Sequence, residues 1–133
     1  MAASDSEWEI PPELQPDPDE FGFDLEAALR SVVAVKAMVP PDAFRAQTLG
    51  TERTGSAVAI RPDGLLATIG YLVTEAEKVE LSTADGKTFP ATVVASDART
   101  GIGLLKALTP LPVKPVDFGE SAGVAERELV LIV

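Results

Sequence analysis

The sequence predicts an all-β domain, an antiparallel Greek-key six-stranded barrel, on three observations. Short runs rich in Val, Leu, Ile and Thr recur at spacings of about ten residues, the signature of a small sandwich or barrel. Two strong turn signals, Pro62-Asp63-Gly64 and Asp85-Gly86, each separate a pair of such runs. Aromatic residues make up 5% of the 133 residues against 46% hydrophobic overall, so the core must be built from small aliphatic side chains. No helical period is long enough to compete with this reading.

Residues 1–23 form an acidic, Pro-rich tail in which Pro11-Pro12, Pro16 and Pro18 oppose helix and strand alike. Trp8, Ile10, Phe21 and Phe23 are apolar anchors among its carboxylates, so the tail reads either as a solvated arm or as a segment docked on the barrel or a partner. The barrel is predicted over 24–127. Asp24 is placed to cap a short helix through Arg30, with Leu25, Ala28 and Leu29 on its apolar side. Ser31 to Met38 has the β-branched content of a strand and stops at Pro40-Pro41. A polar loop from Pro41 to Thr54 follows.

Ala57 to Ile60 and Leu65 to Ile69 flank the Arg61-Pro62-Asp63-Gly64 turn and make a hairpin. Lys78 to Thr83 alternates polar and apolar with period two, and Asp85-Gly86 predicts a two-residue turn with positive φ at both central positions. Its partner strand, Lys87 to Ala95, carries Pro90, a residue that only an edge or a bulge is expected to accept. Gly101 to Leu108 is a further strand, and Val113 to Phe118 an extended crossing segment punctuated by prolines. Glu128 to Val133 is an apolar strand at the chain end. Such a strand is a pairing hazard, so Leu129 to Val133 is expected to fold back on the barrel or pair with another chain.

Charge and composition exclude several function classes. Residues 1–26 hold nine of the 21 acids and no base, so the remaining twelve acids nearly balance eleven Lys and Arg. No basic stripe exists to track phosphates, which argues against nucleic acid. There is no cysteine and no histidine, so disulfides, thiol catalysis and thiolate metal sites are all excluded. Asp17, Asp19 and Glu20 lack the loop glycine and spacing of a calcium hand, and no metal or cofactor is expected. The first residues offer neither a positive start nor an apolar run, so the expectation is a cytoplasmic chain without membrane association.

Gly55-Ser56, Pro62-Asp63-Gly64 and Thr68 to Val73 together resemble the first barrel of the trypsin-like serine peptidases of the high-temperature-requirement (HtrA) family. That barrel carries a Gly-Ser-Gly strand, a Pro-Asp-Gly turn and a strand ending Thr-Asn-x-His-Val-Val. Here Thr68 keeps its place, Ile69 replaces the Asn, and Tyr71 replaces the catalytic His. The family's next hallmark, Ser-Asp-x-x-Thr-Asp-Leu-Ala-Leu-Leu-Lys, is matched by Ser96-Asp97, Thr100 and Leu104-Leu105-Lys106, with Gly101 at the catalytic Asp position and Gly103 at that of the Ala. The resemblance implies the N-terminal half of a trypsin-like double barrel, with 128–133 as the opening strand of a second barrel.

The peptidase mechanism needs a nucleophile, an imidazole, an orienting carboxylate and an oxyanion hole. Loss of the base alone lowers turnover on the order of a million-fold in the well-studied case. A phenol loses its proton only near about pH 10 and makes a poor base, so Tyr71 is expected to fill the cleft as an aromatic plug. Asp97 is expected to cap a turn, and Gly101 and Gly103 to admit close backbone approach. No catalytic residue is therefore assigned, and Tyr71 and Gly101 stand as degenerate positions. The expected function is a pseudopeptidase that binds a protein or peptide partner. The alternatives are part of a serine endopeptidase whose second barrel carries the nucleophile, and an unrelated barrel serving as an interaction module.

Overall fold

The computed structural model describes residues 10–133; the start of the acidic tail, with Trp8, lies outside the described residues. Six strands run β1 Val32–Met38, β2 Glu52–Ala59, β3 Leu65–Ile69, β4 Lys78–Ser82, β5 Thr88–Asp97 and β6 Ile102–Ala107. They close into an antiparallel barrel in the order β1-β2-β3-β6-β5-β4. β4 returns to lie beside β1 after the β1-β2-β3 meander, which is the Greek key expected from the turn spacing. Three single or short helical turns sit between strands: α1 Leu25–Arg30, α2 Ala46–Leu49 and α3 Gly70–Val73.

Strand alternation places the core. Val33, Val35 and Ala37 of β1, Ala57 and Ala59 of β2, Leu66 of β3, Val79 and Leu81 of β4, and Leu105 and Ala107 of β6 all point inward and are buried. These are the small aliphatics anticipated from composition. A barrel of this size is filled by side chains rather than hollow, so each inward methyl contributes to stability. The β2–β3 ladder is the shortest, with register pairs only at Ala57–Thr68, Val58–Ala67 and Ala59–Leu66.

The two barrel ends are closed differently. At one, Leu72 and Val73 of α3 plug the opening, and Gly55 has no side chain because a Cβ there would meet Leu72 Cδ1 at 2.4 Å. At the other, the crossing segment is drawn across by Ser31 Oγ donating to Lys114 O at 2.6 Å and Val116 N donating to Ala59 O at 2.9 Å. Leu111 and Val113 pack on the core from that side.

Several sequence expectations need correction. The loop from Pro41 to Thr54 contains α2, and β2 begins already at Glu52. The Asp85-Gly86 hairpin is a three-residue loop: Gly86 N donates to Thr83 O, Thr83 N donates to Lys87 O, and only Gly86 has positive φ, at 81°. Thr83 Oγ1 contacts the Asp85 carboxylate, which also accepts from Lys87 N at 3.3 Å, so a side-chain turn replaces a second left-handed residue.

Pro90 is on neither an edge nor a bulge. Its carbonyl accepts from Leu108 N at 2.9 Å, so its missing N–H faces the same side, just past the last residue of β6, where no ladder donor is required. The register shift of β5 lies instead between Val93 and Ala95. In the tail, Pro12 and Pro18 each begin a short 3-10 turn, where a fixed φ is an advantage rather than an obstacle. α1 is capped by Asp24 as expected, with Asp24 Oδ1 accepting from Ala27 N at 3.1 Å, but Leu29 is 38% exposed and only Leu25 is buried.

Residues 128–133 form no strand. A closed ring pairs every strand on both sides and leaves no edge for a further one. Leu129 and Val130 are exposed and Ile132 is 98% exposed, so the segment does not fold back as a strand on its own barrel.

Candidate functional site

β3 runs out of the barrel at Ile69 and turns at once into α3, so Tyr71 is delivered to the rim of the plugged end. The turn before β6 meets it there. Asp97 Oδ1 accepts from Arg99 N and Oδ2 from Thr100 Oγ1, each at 3.0 Å, while Asp97 O accepts from Gly101 N at 2.9 Å. Asp97 is a turn-capping residue, as its sequence context implies, and its carboxylate faces its own loop. Gly70 N then donates to Gly101 O at 2.7 Å, which fastens the Tyr71 turn to the Gly101 turn. Tyr71 and Gly101 are thus neighbours in space, thirty positions apart in the chain.

Of the two, Gly101 differs from expectation. Tyr71 is 49% exposed and stands at the rim, whereas Leu72, the next residue, is buried in the barrel. Successive residues of a helical turn are rotated by about 100°, so Leu72 and Val73 share the inward side while Tyr71 is left at the outer one. Gly101 is explained by its φ of 76° and not by crowding, since nothing lies within 4 Å of where a Cβ would stand. Gly103 is the crowded glycine: a Cβ there would meet Val73 Cγ2 at 2.8 Å and the Cα of Gly70 at 3.4 Å. It lets α3 settle onto β6.

Ile69 and Ile102 are register partners on β3 and β6, both half exposed at the end of the ladder where α3 begins. The rim is therefore apolar and aromatic, without a carboxylate or imidazole at either family position. Among the described residues, no group of three or more His, Cys, Asp or Glu could hold a metal ion, and no helix is long and apolar enough to cross a membrane.

Beneath the rim lies a residue that sequence reasoning missed. Arg53 of β2 is 4% exposed, and its Nη1 donates to Tyr71 O and to Thr74 O, both at 2.8 Å. A cation at the carbonyl end of α3 satisfies acceptors that the short helix leaves open. The signal was present: the inward row Ala59, Ala57, Gly55, extended backward with period two, reaches Arg53. Treating that stretch as loop hid it.

The opposite end carries the ordinary surface charges. Arg61 pairs with Asp63 across the Pro-Asp-Gly turn, with Nε to Oδ1 at 3.1 Å, and Lys106 Nζ lies 3.1 Å from Asp63 Oδ2. The hydrogen bond from Arg61, joined by that from Lys106, holds the Asp63 carboxyl well below the usual carboxylate range. Asp63 raises the Arg61 guanidinium in return. This cluster fixes the hairpin and touches no cleft.

Comparison with known proteins agrees with this geometry. The family model for a trypsin-like peptidase domain matches residues 55–133. A protein named probable periplasmic serine endoprotease DegP-like, from Rickettsia prowazekii (strain Madrid E), is 36% identical over 67 residues, covering 50% of this chain and 13% of that protein. Serine protease HTRA2, mitochondrial, from Bos taurus is 31% identical over 77 residues, covering 58% of this chain and 17% of that one.

Two solved structures share the fold. The HtrA-type protease AlgW with tripeptide superposes with a TM-score of 0.63 at 22% identity, over 76% of this chain and 30% of that chain. The Rv3671c protease from M. tuberculosis, active form, gives 0.58 at 25% identity, over 71% and 37%. The chain spans well under a fifth of the length of the curated relatives it matches. With the six-stranded barrel, the ordered motifs and the family match in agreement, this chain belongs to the trypsin-like peptidase domain family, as an HtrA-type barrel.

Proposed function

We propose that this barrel is a pseudopeptidase domain that binds a protein or peptide partner without cleaving it. The observation that supports the reading is the Gly70 N to Gly101 O contact at 2.7 Å, which joins the turns of Tyr71 and Gly101; on the family resemblance these correspond to the base and the acid, and here they are a phenol and a bare backbone. Acyl transfer from an amide requires the hydroxyl proton to be taken up and returned to the leaving amine. A barrel with no imidazole anywhere in its 133 residues has no such relay of the family's kind. What the rim retains is contact surface: Ile69, Tyr71 and Ile102 form an apolar, aromatic patch of the composition that anchors peptides. The exposed segment Leu129 to Val133, β-branched and without a strand partner on its own barrel, is the second surface proposed for pairing with another chain.

A second reading draws on one observation. The family match runs to residue 133 and the relatives are several times longer, so a second barrel could supply the nucleophile. A fluorophosphonate probe separates the two readings when applied to this chain and to the product of any longer reading frame. Neither is expected to label, and neither is expected to hydrolyse casein at neutral pH. Labelling of the longer product that disappears in Y71F would replace the pseudopeptidase reading with a peptidase that uses an unusual base.

A further inference from the structure

The Arg53 guanidinium is a buried cation with three of its five N–H donors unused. It carries five N–H donors in a rigid plane and keeps its charge at any pH a protein survives. Nη1 serves the two backbone carbonyls, whereas Nε and Nη2, both fully buried, have no acceptor among the described residues. None of the ion pairs among the described residues includes Arg53. Carbonyl dipoles orient a cation but do not neutralise it, and a buried charge left uncompensated is strongly unfavourable. We propose that the inner side of the α3 end of the barrel is a carboxylate-binding site, with the Nε–Nη2 edge of Arg53 as its fork.

The chemistry selects the ligand class. Nε–H and Nη2–H lie on one edge of the guanidinium and point in parallel, the arrangement that takes both oxygens of a carboxylate at once. A phosphate would bring a second charge and a third oxygen to a place with one cation. The surroundings are apolar: Arg53 faces Ala37 across the β1–β2 ladder and shares its inward row with Gly55 and Ala57, and the buried Leu72 packs over Gly55. One positive charge in such a setting matches one negative charge.

Two carboxylates adjoin the site along the chain and both are turned elsewhere: Glu52, next to Arg53, lies 3.5 Å from Lys36 Nζ, and Glu75 follows the Thr74 carbonyl that Arg53 holds. Glu75 adopts a φ of 63°, unusual for a residue with a side chain, and its Oε1 accepts from Arg45 N at 3.3 Å. That long bond ties the α2 turn to the segment after α3, and both helical elements are single turns. Local opening of this weakly joined lip, rather than of the barrel, uncovers the fork. Occupancy would reach the rim, because the same guanidinium holds the carbonyl of Tyr71. The site stands apart from the question of proteolysis, so its test fails or succeeds independently of probe labelling.

The test is an NMR titration of the full, isotope-labelled chain that follows the Arg53 Nε–H and the backbone amides of residues 71–75. The probes are sodium acetate, N-acetyl-trialanine as the free acid, and the same peptide as its C-terminal amide, with sodium chloride at matched ionic strength as the control. Saturable shifts are expected with acetate and the free acid, and binding at least about tenfold weaker with the amide. R53K keeps the charge without the fork and is expected to lose about tenfold or more in affinity while its amide spectrum stays folded. Tighter binding of the free peptide than of acetate would identify a chain terminus as the ligand; equal binding would identify a small carboxylate. Shifts that chloride reproduces, or an Nε–H that no carboxylate moves, would overturn the proposal from the wild-type chain alone, and an unchanged response in folded R53K would do the same.

Discussion

The two ends of this barrel hold the same kinds of side chain under opposite conditions. At the Pro-Asp-Gly end, Arg61, Asp63 and Lys106 pair with one another in water, and at the α3 end Arg53 is buried with only backbone carbonyls for company. Exposed ion pairs contribute little because solvent already satisfies each partner, whereas a buried cation must be answered by the protein or by a ligand. The first end is hairpin construction. The second has the exposed Ile69, Tyr71 and Ile102 at its rim and one buried charge underneath.

The comparison makes predictions that differ in size. The largest effect belongs to the α3 end: L72A removes the plug of the barrel and is expected to lower unfolding stability by about 2–5 kcal/mol in urea denaturation. A loss well below that range would mean α3 is not part of the cooperative core. Next is G103A, whose added methyl must displace the buried Val73 side chain, at about 1–3 kcal/mol. That change should also shift the Tyr71 amide resonance, since α3 rests on Gly103.

The smallest effect belongs to the other end, and it is one of pH rather than of magnitude. The Asp63 carboxyl is held below its ordinary value, so its contribution is complete above the unfolded carboxylate pKa of about 4 and is lost as pH falls toward the lower folded value. D63N is therefore expected to flatten the acid limb of stability below about pH 4 and to leave the urea midpoint nearly unchanged as pH rises from 5 to 8. An equal loss at every pH would show that Asp63 acts through turn geometry instead.

The barrel was legible because its signals are local. Alternation in Val33, Val35 and Ala37, the proline and glycine of the first hairpin, and the Asp24 cap each act within a few residues, and each is present in the structure. The adjacency of the Tyr71 and Gly101 turns was legible only through the family resemblance of the motifs around them. What could not be read is whatever depends on closure. The failure of Glu128 to Val133 to add a strand follows from a ring with no free edge, and the tolerance of Pro90 follows from where β6 happens to end. The inward turn of Leu72 instead of Tyr71, and the burial of Arg53, depend on which side of a single helical turn faces a core that only the assembled strands create.

The three-pair ladder between β2 and β3 sets how the cylinder would come apart. Hydrogen bonds resist separation roughly in proportion to how many must break together, so this seam yields before the longer ladders on either side. Parting it would bare two fresh hydrogen-bonding rows bordered by Val58 and Ala67, and a loose Leu129–Val133 tail from a neighbouring molecule is a ready guest for them. Domain exchange in concentrated samples would begin at that line.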